Sequence, residues 1–213
     1  MAETRPSHPE TAELRAAVAD WASGGPGEPA RELAMEHGVR TAVLLEGLSD
    51  LAAVEALAAR RGRDLAAEGV CVVPMGGAMS VGRYAGLLGP PGLGLRLTGL
   101  CDQRERGYYE RGLTRAGASS HDRFFVCVAD LEDELIRALG AARVEDIVRA
   151  AGDLRAWTTF QSQPAHRGRP PEQQLRRFLG TKKGRKIRYG RLLVDALHPD
   201  QTPSPLHDLF TTL

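Results

Sequence analysis

Thr41-Ala-Val-Leu-Leu-Glu46-Gly47-Leu-Ser-Asp50 is the stretch of this chain that decides its fold. The apolar run Ala42–Leu45 reads as a buried strand and delivers a glutamate and a glycine at its end. Asp50 follows where a helix over Ser49–Arg61 begins, with Leu51, Val54, Leu57 and Ala58 on one face. A carboxylate at the carboxyl end of a strand in an α/β sheet sits where such folds bind ligands. Two acids one helical turn apart can converge on one hard cation. Taken singly, Glu46 reads equally well as a strand-end charge, and Asp50 as a helix-start acid favoured by the dipole.

The same texture repeats downstream. Val70–Val73 is a second strand, followed by Pro74-Met-Gly76-Gly77, and Leu95–Leu100 is a third, ending at Cys101-Asp102. Phe124–Val128 is a fourth, ending at Ala129-Asp130, and helices are expected over Ser80–Leu88 and Glu105–Ala116. Short apolar strands alternating with helices predict an α/β fold with a mostly parallel sheet covered on both faces. Before the first strand, Glu10–Ala22 and Pro29–His37 read as helices behind a frayed tail of residues 1–9. Beyond Leu139 the strands stop, and Val144–Ala151, Asp153–Gln161, Pro171–Leu179, Lys186–Leu197 and Leu206–Thr212 read as helical. The expected organisation is a helical N-terminal extension (1–38), the α/β domain (39–140) and a basic helical C-terminal region (141–213).

Composition narrows the function. A chain of 213 residues, 42% hydrophobic and 26% charged, is globular, and no apolar run reaches membrane-spanning length. No membrane partner is expected, and the acid- and proline-bearing N-terminus lacks a secretory h-region, so a cytoplasmic location is expected. Cys71, Cys101 and Cys127 sit among apolar strand residues and read as small buried hydrophobes, not a disulfide frame or a zinc site. The six histidines (His8, His37, His121, His166, His198 and His207) show no ligand spacing. The net charge of +1 is unevenly spread: from Leu139 onward 13 Lys/Arg face 7 Asp/Glu, and Arg167–Arg191 holds ten basic residues against Glu172 alone. Such a basic run is either a solvated face or a grip on phosphate. Phe178 and Tyr189 within it lie at helical spacing and read as core contacts.

The functional case rests on the strand ends. Glu46 and Asp50 follow the first strand, Asp102 and Glu105 the third, and Asp130, Glu132 and Asp133 the fourth. In a doubly wound sheet these ends share one edge, so seven carboxylates can crowd one crevice, where they repel and raise one another's pKa values. A divalent cation resolves that conflict, and oxygen-only donors select Mg²⁺ or Mn²⁺. Singly, Asp102 and Asp130 are as readily helix N-caps, Glu132-Asp133-Glu134 first-turn acids, and Ser49 an N-cap.

Glu46-Gly-x-x-Asp50, Pro74-Met-Gly76-Gly77 and Leu100-Cys-Asp102, in this order, resemble the TOPRIM domain of topoisomerases, DnaG-type primases and related nucleases. More narrowly, Leu44-Leu-Glu-Gly-Leu-Ser-Asp50 and Val128-Ala-Asp-Leu-Glu-Asp-Glu-Leu135 resemble the TOPRIM nuclease half of the OLD (overcoming lysogenization defect) family, over roughly Val39 to Leu139. The resemblance implies a Rossmann-like TOPRIM fold and a divalent-metal-dependent phosphodiesterase, a DNA endonuclease or nickase. It implies Glu46 as metal ligand or acid/base, Asp50 and Asp102 as metal ligands, and Asp130 with Glu132 as the later acidic pair. Gly47, Gly76 and Gly77 would let backbone approach phosphate. Lys186 would stabilise the transition state, and Lys182, Lys183 and Arg185 would bind phosphate beside it. Two departures stand out. Where many relatives have Asp-x-Asp, this chain has Asp102-Gln-Arg104, and Glu105 is expected to substitute as a ligand. No Gly-x-x-x-x-Gly-Lys-Ser/Thr occurs either, so an ATPase or helicase would be a separate partner. The alternative is a catalytically weak TOPRIM module that binds nucleic acid or such a partner.

Overall fold

The computed structural model describes residues 9–117 and 123–213, so His8, His121 and most of the expected N-terminal tail lie outside the described residues. Its centre is a four-stranded sheet of β1 (Thr41–Leu45), β2 (Val70–Pro74), β3 (Arg96–Asp102) and β4 (Arg123–Cys127), in the order β2-β1-β3-β4. All three pairings are parallel. Every residue of β1 is buried, as a central strand packed on both faces requires. The two-residue side-chain period divides the strands cleanly. Val43, Leu45, Val72 and Leu100 enter one core, and Ala42, Leu44, Val73 and Leu97 enter the other.

The second of these cores is closed by α1 (Pro9–Ala22), α2 (Glu28–Glu36), α4 (Val81–Leu88) and α5 (Arg106–Arg115), through Leu14, Val18, Ala30, Val81 and Tyr109. The first is closed by α3 (Leu48–Arg60) and α6 (Leu131–Leu139), and by the C-terminal helices α7 (Ala141–Ala150), α8 (Leu154–Ser162), α9 (Pro171–Leu179), α10 (Lys183–Ala196) and α11 (Ser204–Thr212). Phe178 and Tyr189 are buried in this core, with Trp157 tilted against Phe178 at 5.1 Å between ring centroids. All three cysteines are free and buried, and burial pushes the Cys71 thiol up to about 12 and Cys101 to about 11, as inert hydrophobes require.

Two local expectations are corrected. The N-cap of α3 is Gly47, not Ser49, which lies buried inside the first turn. Helix α10 begins at Lys183, about a turn before the expected Lys186, because the polar start Lys-Gly-Arg-Lys hides the apolar period.

Candidate metal centre

β1 and β3 are hydrogen-bonded neighbours, with Leu44 opposite Gly99. Their carboxyl ends therefore bring Glu46, just past β1, beside Asp102, the last residue of β3. Glu105 occupies the N-cap position of α5, its amide donating to the Asp102 carbonyl at 2.9 Å. One carboxylate oxygen from each of Glu46, Asp102 and Glu105 lies within 4.8 Å of the others. Burial raises the Asp102 carboxyl to about 8, and Glu46, Asp130, Glu105 and Asp50 push it the same way. Glu105 is raised too, by burial and then by Glu46, with which it shares a hydrogen bond, while Lys186 opposes the shift. Three half-buried carboxyl groups this close together form a donor set into which a hard, oxygen-preferring cation fits.

A second group adjoins this triad. Asp50, in the first turn of α3, accepts from the Gly47 amide at 3.0 Å. Its carboxyl rises to about 7, mainly by burial and then by Glu132, against the lowering influence of Lys186 and the Gly47 hydrogen bond. Glu132, from the first turn of α6, is only 3% exposed, and its carboxyl is raised by burial despite Lys186 and Ser49 beside it. The Lys186 ammonium lies 3.3 Å from Glu132 Oε1. Burial works against the lysine's charge, yet Glu132, Asp50 and Asp130 more than offset it, so its pKa stands above the ordinary range.

Residues 39–103 match the family model described as "Overcoming lysogenization defect protein-like, TOPRIM domain". This segment is similar to an OLD-like TOPRIM domain. Solved structures extend the likeness in fold beyond it. The C-terminal region of the Burkholderia pseudomallei OLD protein superposes with a TM-score of 0.59 at 20% identity, covering 81% of this chain and 96% of that one. The C-terminal region of the Xanthomonas campestris pv. campestris OLD protein gives 0.59 at 22%, covering 82% and 94%. No curated protein matches the sequence.

The other expected site residues fall at varied places around these carboxylates. Asp130 caps α6, accepting from the Asp133 amide at 2.8 Å, and its other oxygen accepts from Arg176 Nε at 2.7 Å. Asp133 turns away to Arg137, 2.9 Å distant. Gly76 and Gly77 have φ of 75° and 130°, which side chains rarely adopt, and the Gly77 amide donates to the Glu46 carbonyl at 3.0 Å. The Pro74-Met-Gly76-Gly77 turn thus fixes the backbone of Glu46. Lys182 and Lys183 are exposed at the start of α10. Arg185 is not on that surface: its guanidinium stacks 4.0 Å from the Phe178 ring centroid and bonds Thr181 Oγ1 at 2.6 Å.

Gly190 is a site residue that the sequence reading missed. A Cβ there would lie 2.4 Å from the Ser49 carbonyl oxygen, so only glycine lets α10 approach the start of α3 this closely. Lys186 sits one turn earlier on the same helix, and the approach carries it to Glu132. The available signal was a glycine inside a helical pattern, which costs about 1 kcal/mol against alanine and so calls for a packing reason.

Proposed function

We propose that this protein is a divalent-metal-dependent nucleic-acid phosphodiesterase, a DNA endonuclease or nickase of OLD type using Mg²⁺ or Mn²⁺. The observation that carries the reading is the convergence of Glu46, Asp102 and Glu105 within 4.8 Å, flanked by Lys186 against Glu132. When bound, a divalent cation supplies Lewis acidity and lowers the pKa of water. Glu46, Asp102 and Glu105 would hold it, with Asp50 and Glu132 completing the acidic wall. Glu46 shares a hydrogen bond with Glu105 and is the group placed to exchange a proton with the attacking water. Lys186, charged and half-buried, neutralises the phosphate as charge develops. Lys182 and Lys183 draw the neighbouring phosphates in. On this reading residues 39–140 carry the carboxylates, 141–213 carry the cations, and the described residues of 1–38 cover the sheet.

A second reading has one observation in its favour. Arg176 already neutralises Asp130, which leaves the later acidic pair with one fewer ligand for a second ion. That favours a single-metal site, or a weak enzyme that binds nucleic acid beside a separate ATPase or helicase. Nicking of supercoiled plasmid separates the readings. The enzyme should nick with Mg²⁺ or Mn²⁺, stop in EDTA, and lose turnover in Glu46→Gln and Asp102→Ala while Glu46→Gln still binds DNA. Unchanged nicking in both variants, or none by wild type, would sink the phosphodiesterase.

A further inference from the structure

Among the described residues, six large hydrophobic side chains are exposed, and four of them (Leu48, Met79, Tyr108 and Val128) lie on the loops and helix starts at the carboxyl edge of the sheet. Each is within three residues of a group already placed at or beside the site: Leu48 follows Gly47, Met79 follows Gly77, Tyr108 follows Glu105, and Val128 precedes Asp130. Exposed apolar side chains set beside a carboxylate cluster offer contact to a ligand with an apolar face.

Cations flank the same rim. On α5 the exposed Arg111 guanidinium lies over the Tyr108 ring, 5.0 Å from its centroid, and Arg104 is exposed just before the helix. From the other side come Lys182 and Lys183. An apolar rim between two positive edges matches a strand of nucleic acid whose phosphates meet the cations and whose bases meet the rim. In a continuous duplex the base faces are covered by stacking, and the backbone presents phosphate and sugar instead. Only unpaired bases offer the flat apolar surface that an aromatic ring backed by a guanidinium accepts.

We propose that Tyr108, backed by Arg111, is a stacking platform for an unpaired base beside the scissile phosphate, so that the protein selects single-stranded or locally unpaired DNA over continuous duplex. This rests on the phosphodiesterase reading for the position of the scissile phosphate, but its test does not require cleavage. The experiment is fluorescence anisotropy with labelled oligothymidine and with a blunt duplex of equal length, using the full chain in EDTA. Tyr108→Ala should weaken oligothymidine binding about tenfold, ~1.4 kcal/mol, which lies within the range for one stacked base. Tyr108→Phe should restore it, and duplex binding should barely change. Because Tyr108 is 45% exposed, the variant is expected to fold. Equal loss on both ligands, or none on oligothymidine, overturns the proposal. So does a change in sedimentation mass with unchanged binding, which would make the rim a contact between copies of this chain. If Tyr108-dependent binding holds but wild type never cleaves with metal, the platform stands and the phosphodiesterase reading fails.

Discussion

Two groups of acids lie side by side at the carboxyl edge of the sheet, and the fold treats them differently. Glu46, Asp102 and Glu105 face one another across 4.8 Å with no cationic side chain paired to any of them among the described residues. Asp50, Glu132 and Asp130 each have a partner supplied by the chain: the Gly47 amide, the Lys186 ammonium and the Arg176 guanidinium. Both groups are acidic and partly or wholly buried, so sequence alone makes them look equivalent. They differ in what removes the repulsion. In the first it must come from outside, as protons or a cation. In the second the chain supplies it, through the Gly47 amide for Asp50 and through α9 and α10 for Asp130 and Glu132, and Lys186 is held by its pair at the place where a phosphate would need it.

That contrast is broken most directly by comparing Asp102→Ala with Lys186→Met. Both should abolish nicking to near background, since removing one preorganised charge-stabilising group costs about 10²–10³ in rate. Calorimetric titration with Mn²⁺ should part them: Asp102→Ala loses metal binding, and Lys186→Met keeps it. Equal loss of metal in both variants would merge the two groups into one site. Lys186→Met should also destabilise the fold by about 1–3 kcal/mol, because the buried Glu132 loses its partner. Adding Glu132→Gln should recover much of that stability and none of the activity.

A smaller effect is expected at Gly190. An alanine Cβ there would lie 2.4 Å from the Ser49 carbonyl oxygen and must push it away, at a cost of about 1–3 kcal/mol for overpacking. The shift moves α10 and with it Lys186, so turnover should fall while Mn²⁺ affinity stays within about threefold of wild type, less than the 10–100-fold typical of losing a group that orients a ligand. Unchanged melting and turnover in Gly190→Ala would show that the close approach does not set the lysine.

The unequal legibility of the two groups in the sequence has a physical origin. β1 is readable because Ala42–Leu45 is buried on both faces, and a continuous apolar run is what such burial demands. Glu46 and Asp102 then follow from chain direction alone, since parallel strands send their carboxyl ends to one edge. The family resemblance implied Glu105, one position beyond the second acid of Asp-x-Asp, as the substitute ligand, and the structure brings it within 4.8 Å of Glu46 and Asp102. The second group was harder. The Asp130–Arg176 pair joins residues 46 positions apart, and no local pattern encodes which arginine of a basic run reaches which acid. Arg185 sits in the same run as Lys186, yet it turns inward to Phe178, because a guanidinium stacks on a ring where a lysine does not. Tyr108 and Tyr109 are adjacent, and only the turn of α5 makes one exposed and the other buried.

The smallest expected effect is on stability against pH, and its sign follows from burial of the acids, most of all Asp102 in the first group. Asp102 stands near 8 in the folded protein against an ordinary 3.8, so the native state holds a proton that the unfolded chain releases once the pH passes about 4. Stability from this proton is fully present below that point and is lost as pH rises through about 8, opposite to the usual behaviour of an ion-paired aspartate. Asp50, raised to about 7, adds to the same trend. In EDTA the melting temperature should therefore fall from pH 5 to pH 8. Asp102→Asn, which cannot titrate, should melt higher than wild type at pH 8 by on the order of a few degrees, and by less at pH 5. Mn²⁺ should reverse the order, raising wild type most at pH 8, where the carboxylates have lost their protons, and raising Asp102→Asn little. A wild-type advantage at pH 8 in EDTA would mean that the chain itself relieves the repulsion in the first group, and the distinction between the two groups would disappear.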